Sequence, residues 1–108
     1  MVFDNMQLVG GEEMAKSILQ DEKVCYITGQ TNNLHLHHIY AGSRRKISDR
    51  EGFVVWLCGR LHNQSNEGVH GKDGHELDLM LKRHCQMKYE ETHSREEFMA
   101  LIGKNYLD

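Results

Sequence analysis

Two stretches in the middle of the chain show the hydrophobic pattern of β-strands. In residues 34–40 (LHLHHIY), apolar and polar side chains alternate, as in a strand with one face packed on a core. Residues 53–58 (FVVWLC) are almost continuously apolar, which is typical of a strand covered on both faces. A third β-prone stretch, residues 24–27 (VCYI), is followed by a Thr-Gly turn signal. The pattern therefore predicts two principal strands and a shorter third one.

The polar segments around these strands predict short elements and loops. Residues 41–52 are polar with glycine near each end, and we expect a loop there. Residues 62–74 are rich in Asn, Gly, Ser and His, and predict one short helical piece followed by a loop. Residues 11–20 predict a short helix, with Met14 and Ile18 facing inward at i, i+4 spacing.

The last third of the chain has helical periodicity. Asp73 followed by Glu76 predicts a capping box at the start of one helix, and Ser94 followed by Glu97 predicts a second. Gly103 is a natural stop for the second helix. The predicted buried stripe of the first helix consists of Leu77, Met80, Leu81, His84 and Lys88, with Cys85 and Tyr89 beside it.

Length and composition narrow the class of protein. The chain has 108 residues, no proline and no repeat, so we predict a single domain over residues 1–108. No apolar run approaches the roughly 20 residues that cross a bilayer, and the first residues show no secretory signal. Three cysteines are an odd number, which favours reduced thiols in a cytoplasm over a disulfide framework.

Charge is distributed unevenly along the chain. The formal net charge is −3, yet residues 35–72 carry six Lys or Arg and three acids, while both flanking segments are acidic. Six of the eight histidines lie between His35 and His75. Histidines within a locally basic segment suit a metal site that handles phosphates, although a solvated basic loop would look the same.

The candidate chemistry lies where the two principal strands end. His37 and His38 are adjacent near the end of the first strand, and the second strand ends in Cys-x3-His at His62. Neighbouring strand residues point to opposite faces, so the pair is poorly placed to hold one ion together and well placed to divide two tasks. One imidazole can bind a metal while the other serves as a base near neutral pH. His35 could chelate with His37 across one strand face, or remain solvated, which we expect.

These residues resemble a known pattern. Residues 36–39 (LHHI) and 57–63 (LCGRLHN) are similar to the motifs of the small HNH endonucleases of tailed bacteriophages, in which a strand ending in (Asp/His)-His-Ile leads to a second strand ending in Leu-Cys-x-x-(Cys/His)-His. The resemblance covers roughly residues 23–72. It implies an α+β fold: a small ββα-metal, treble-clef-like core over about residues 23–72, with a two-helix C-terminal extension over residues 73–108.

The resemblance also implies roles for individual residues. His38 takes the position of the general base that activates water, and His37 and His62 take metal-ligand positions. His70, in the sequence Gly-Val-His, is a candidate third ligand. The implied cofactor is one divalent ion: Mg²⁺, Mn²⁺, or a transition ion such as Zn²⁺ or Ni²⁺.

The implied reaction is hydrolysis of a phosphodiester in DNA, duplex or branched. Arg44, Arg45 and Lys46 would hold neighbouring phosphates, since arginine binds them bidentately. The resemblance further implies the cytoplasm of a bacterial host, and a partner that is either a second copy of the chain or a phage DNA-processing protein.

The chain departs from the family at two places. The two Cys-x2-Cys pairs that hold a structural zinc in many members are reduced here to Cys25 and Cys58, so we predict no structural zinc and expect both thiols to be buried. The middle Asn of the HNH pattern falls at Phe53, which leaves support of the base histidine unexplained. A module that binds DNA or a phage protein without cutting therefore remains an alternative, and so does a zinc-stabilised regulatory protein.

Overall fold

A two-stranded antiparallel hairpin and four helices make up the part of the chain that the structure describes. In this computed structural model the described residues are 16–108. The elements in chain order are β1 (Leu34–His38), a 3-10 turn (Gly42–Arg44), α1 (Arg45–Glu51), β2 (Val54–Cys58), α2 (Gly59–His62), α3 (His75–Tyr89) and α4 (Arg95–Ile102). The fold is α+β, as the sequence predicts.

The register of the hairpin places the histidines opposite apolar partners. His35 pairs with Leu57 and His37 with Val55, and the ladder ends where His38 meets Val54. Val55 and Leu57 are fully buried, so the predicted apolar strand does form part of the core. The first strand is confirmed, and it ends two residues earlier than predicted.

The connection between the strands is helical, and the prediction of a loop over residues 41–52 is wrong. It contains the 3-10 turn and α1, which ends at Gly52 in the left-handed conformation (φ 80°). Buried Ser48 fastens α1 to the hairpin, because its Oγ donates to the carbonyl of Tyr40 (2.7 Å) and accepts from the N–H of Tyr40 (3.2 Å). The helix was not predicted because its residues are mostly polar and only Ser48 among them is buried.

Residues 16–33, the described part of the chain before β1, run along β2 without forming a helix or a strand. The helix predicted over residues 11–20 lies outside the described residues as far as position 15, and residues 16–20 are not helical. Ser17 there donates to the carbonyl of Val54, and the Gln20 side chain accepts from the N–H of Trp56. The strand predicted over residues 24–27 is a turn, closed by Gly29 N–H to the Cys25 carbonyl (2.8 Å).

The core lies between the hairpin and the two C-terminal helices. Tyr40 and Phe53 from the hairpin region meet Tyr89 of α3 and Phe98 of α4, with neighbouring rings at centroid distances of 5.5–6.3 Å. The Tyr40 hydroxyl also donates to the carbonyl of Lys82 (2.7 Å), which connects α3 to the residues that follow β1.

Of the two capping boxes predicted in the last third of the chain, one is present. The capping box of Ser94 and Glu97 and the left-handed Gly103 are both present at α4, as predicted. The box predicted at Asp73 is wrong, because α3 begins after Gly74 without a side-chain cap. Of the predicted stripe of α3, Leu81, Cys85 and Tyr89 are buried, and Leu77 and Met80 are partly buried against the core. His84 and Lys88 are exposed, so their predicted burial is wrong, and Gln86 is buried instead. None of the helices within residues 16–108 is of a length and apolarity that would cross a membrane.

Candidate metal centre

His37 is a buried histidine with an unused nitrogen. Its side chain lies on β1 with only 3% of the residue exposed. Within residues 16–108, its Nε2 is the one buried side-chain nitrogen or oxygen atom without a hydrogen-bond partner. A buried polar atom left unpaired costs about 1–3 kcal/mol, so such an atom calls for a ligand or a function.

Two further histidines surround His37. His62 is the last residue of α2, and His70 lies in the loop that follows. Ring centroids are 5.5 Å apart for His37 and His62, 5.4 Å for His37 and His70, and 4.7 Å for His62 and His70. One ring nitrogen from each residue lies within 4.8 Å of the other two, close enough for all three to hold one ion. The three residues that the sequence offered as ligands, His70 included, are thus brought together.

The loop after α2 folds back on the helix and so delivers His70. The N–H of Val69 donates to the carbonyl of Leu61 (2.9 Å), and the N–H of His70 donates to that of His62 (3.0 Å). Gly68 makes this close approach possible, because a Cβ at that position would lie 2.6 Å from the carbonyl oxygen of His62. The prediction placed His62 at the start of a helix; it stands at the end of α2, and this return of the chain follows it.

Burial keeps His37 and His62 uncharged. Loss of solvent, together with the proximity of His62 and His70, lowers the pKa of His37 to about 3. Burial, followed by the proximity of His70 and His35, lowers the pKa of His62 to about 4. Both imidazoles are therefore neutral at physiological pH, the state in which a nitrogen lone pair can bind a cation.

His38 is bound to a carboxylate that the sequence analysis missed. Its Nε2 lies 2.6 Å from Oδ1 of Asp49 in α1, and the two side chains are 14% and 35% exposed. A carboxylate only accepts hydrogen bonds, so Nε2 carries the proton and the lone pair of neutral His38 resides on Nδ1. Ser48, bonded to Tyr40, holds the adjacent turn of α1 in place. The available signal in the sequence was weak: Asp49 is the one acid between Arg44 and Arg50.

His35 is half-buried and contacts the site, so the expectation that it is merely solvated is wrong. Its Nδ1 lies 2.9 Å from Nδ1 of His62, with the rings nearly perpendicular at 88°. It does not belong to the group of three whose nitrogens converge.

The three basic residues of the connecting segment have different surroundings. Arg44 donates through Nε to the carbonyl of Ile102 (2.9 Å), so it joins the 3-10 turn to the end of α4. Arg45 and Lys46 are exposed, and of the three only Arg45 borders the histidine site. That site opens into a cavity of about 280 Å³ lined by Leu36, His37, His38, Ala41, Gly42, Arg45, His62 and His70.

Cys25 and Cys58 are each 1% exposed, as expected of small apolar residues.

Comparison with known proteins adds no identification: no family model, curated protein or solved structure matches the chain. The functional argument therefore rests on the geometry of the histidine cluster.

Proposed function

We propose that this protein is a metal-dependent phosphodiesterase of the HNH type that hydrolyses DNA. The observation that carries the proposal is buried His37: its Nε2 has no hydrogen-bond partner, and one of its ring nitrogens lies within 4.8 Å of a ring nitrogen of His62 and of His70. Three imidazoles beside one cavity would form a coordination set with open positions, as in catalytic rather than structural centres. The order of two strands followed by a short helix, with ligands on β1 and at the end of α2, agrees with a ββα-metal core.

The donor set favours a transition ion over Mg²⁺. All three candidate ligands are imidazoles, and no carboxylate belongs to the group. Imidazole suits Zn²⁺, Ni²⁺, Fe²⁺ and Cu²⁺, whereas Mg²⁺ selects oxygen ligands and retains its waters. Of the ions that the sequence left open, Zn²⁺ and Ni²⁺ therefore fit best, with Mn²⁺ weaker.

The residues around the cavity would have three roles in hydrolysis: general base, phosphate binding and metal binding. Nδ1 of His38 would take a proton from the attacking water, while Asp49 holds the imidazole in the required tautomer. Arg45, at the border of the cavity, would bind a non-bridging oxygen of the phosphate. His37, His62 and His70 would hold a divalent ion, whose positive charge stabilises the charge that develops on the phosphate and the leaving oxygen.

The alternative is a module with the same site that binds DNA, or a phage protein, without cutting. The incomplete Cys pairs and the absence of the middle Asn, whose position is taken by Phe53, were the sequence arguments for it. Asp49 weakens the second of these arguments, because a carboxylate bonded to the base residue supplies an orienting partner from another part of the chain.

Nicking of supercoiled plasmid by the purified chain tests the proposal. Activity is expected with Ni²⁺, Zn²⁺ or Mn²⁺, and His38→Ala should lower the rate by about 10²–10⁴-fold, the usual contribution of a general base. Zn²⁺ affinity should remain close to that of the wild type. His75→Ala, at an exposed histidine, is the matched control and should cut normally.

Two results would reject the enzyme assignment. If the wild type binds the ion and DNA but cuts with none of these ions, the non-cutting module is correct. If the wild type cuts and His38→Ala cuts equally well, the chemistry does not depend on this site.

A further inference from the structure

The hydrogen bond between His35 and His62 restricts how His62 can bind an ion. The two Nδ1 atoms lie 2.9 Å apart, so one proton is shared between them. His35 is on β1, two residues before His37 and on the same face of the strand, while His62 ends α2. The bond therefore joins the two elements that supply ligands to the cluster.

The direction of this bond determines whether His62 has a free lone pair. A neutral imidazole carries one proton, on either Nδ1 or Nε2. If His35 donates, Nδ1 of His62 accepts and its Nε2 is protonated, so neither nitrogen of His62 can bind a cation. If His62 donates through Nδ1–H, its Nε2 lone pair is available. Only the second arrangement is compatible with a metal ligand at His62 that keeps this bond.

We infer that His35 is a positioning residue: its Nδ1 accepts the Nδ1–H of His62 and thereby holds His62 in the tautomer and orientation that present Nε2 to a divalent transition ion. The inference rests on the proposed metal centre. A partner for the outer nitrogen of a ligating histidine also raises its basicity, and loss of such a partner typically weakens metal binding about 10–100-fold. His35 is not itself a ligand, because its Nδ1 is occupied and lies outside the group of converging nitrogens.

Three substitutions separate the hydrogen bond from the other effects of the ring. The amide oxygen of Asn lies close to the position of a histidine Nδ1, so His35→Asn keeps the acceptor. His35→Gln offers the same amide one methylene further out, and His35→Leu removes the acceptor. Because Asn and Gln have the same chemistry, a difference between them reports on position rather than on folding.

The first measurement is Zn²⁺ affinity of the chelator-treated full chain, by calorimetric or chromophoric competition titration. His35→Leu and His35→Gln should bind Zn²⁺ about 10–100-fold more weakly than the wild type, and His35→Asn should bind close to the wild-type affinity. The exposed control His75→Leu should not change it.

The second measurement needs no metal. Long-range ¹H–¹⁵N spectra of the metal-free protein report the tautomer of each histidine. His62 should be protonated at Nδ1 in the wild type and in His35→Asn, and should move towards the Nε2–H form in His35→Leu. A residue that only filled space would not affect this signature.

Each contrary result has a distinct meaning. Equal Zn²⁺ affinity of the wild type, His35→Leu and His35→Gln would overturn the role of His35 while leaving the metal centre intact. Tighter binding by His35→Leu would overturn it too, since His62 would then bind through Nδ1 and His35 would compete with the ion. Equally weak binding by His35→Asn would make His35 a ligand. A wild type that binds no Zn²⁺ would reject both the centre and the inference.

Discussion

Nε2 of His38 lies 2.6 Å from Oδ1 of Asp49, eleven residues further along the chain. The bond joins the end of β1 to the middle of α1, two elements whose relative position is fixed by the Ser48–Tyr40 hydrogen bonds. It also settles which nitrogen of His38 holds the lone pair. The proposed base is thus a residue whose orientation depends on a helix that the sequence did not predict.

Replacement of Asp49 by Asn should lower cleavage sharply without affecting metal binding. The Asn amide can donate to Nε2 and so favour the opposite tautomer of His38, and in the well-studied serine protease triad the corresponding change costs about 10⁴-fold. We expect a fall in kcat of at least about 10²-fold, with Zn²⁺ affinity retained. Glu51→Gln, at a neighbouring acid of α1 paired with Arg50, is the control. If both variants cut equally well, Asp49 does not orient the base.

Gly68→Ala should detach His70 from the centre. The added Cβ would lie 2.6 Å from the carbonyl oxygen and 2.8 Å from the carbonyl carbon of His62, both backbone atoms that cannot rotate away. The loop must shift, so we expect a loss of stability of about 1–3 kcal/mol and weaker Zn²⁺ binding. Thermal unfolding and metal titration measure the two effects. Glu67→Ala, which removes an exposed ion pair with Arg60, should change neither appreciably.

The metal-free protein should lose stability as the pH falls from about 6.5 towards about 4. Burial lowers the pKa of His37 to about 3, below the ordinary value of 6.5. Between these values the unfolded chain binds a proton that the folded chain does not, so acid favours unfolding; above about 6.5 neither state binds it and the effect vanishes. His37 alone should contribute a slope of about 1.4 kcal/mol per pH unit.

Urea unfolding of the chelator-treated protein at several pH values checks this slope. His37→Leu should flatten it, because the variant lacks the titrating group, whereas His75→Leu should not. A wild-type stability independent of pH over this window would show that His37 is not kept neutral by burial.

Arg44→Ala should affect mainly the stability of the protein, and Arg45→Ala mainly cleavage and DNA binding. Arg45→Ala removes a cation at the cavity, so we expect a lower kcat/KM, a weaker dependence of DNA binding on salt, and unchanged thermal stability. Arg44→Ala loses its bond to the Ile102 carbonyl, so we expect a loss of stability of about 1 kcal/mol with cleavage retained. Exposed Lys46→Ala is the reference for a general effect of charge. Identical behaviour of Arg44→Ala and Arg45→Ala would contradict this division.

The sequence by itself determined the elements whose signals are local. The apolar run that becomes β2, the alternation that becomes β1, and the Ser94 capping box with Gly103 each depend on residues a few positions apart. The candidate ligands His37 and His62 were implied by the resemblance of residues 36–39 and 57–63 to a family motif, which is also a local pattern.

Only the tertiary structure decided how those histidines are used. His35 and His62 are 27 residues apart, and their bond exists because the hairpin register and the end of α2 bring them together. Likewise Asp49 contacts His38 from a helix formed mostly by polar residues, and α3 buries Gln86 whereas His84 is exposed. A periodic pattern reports that a helix has an apolar side, but the direction of that side depends on what packs against it. Contacts distant in sequence leave no local pattern, and for this reason the sequence could propose the ligands but not their partners.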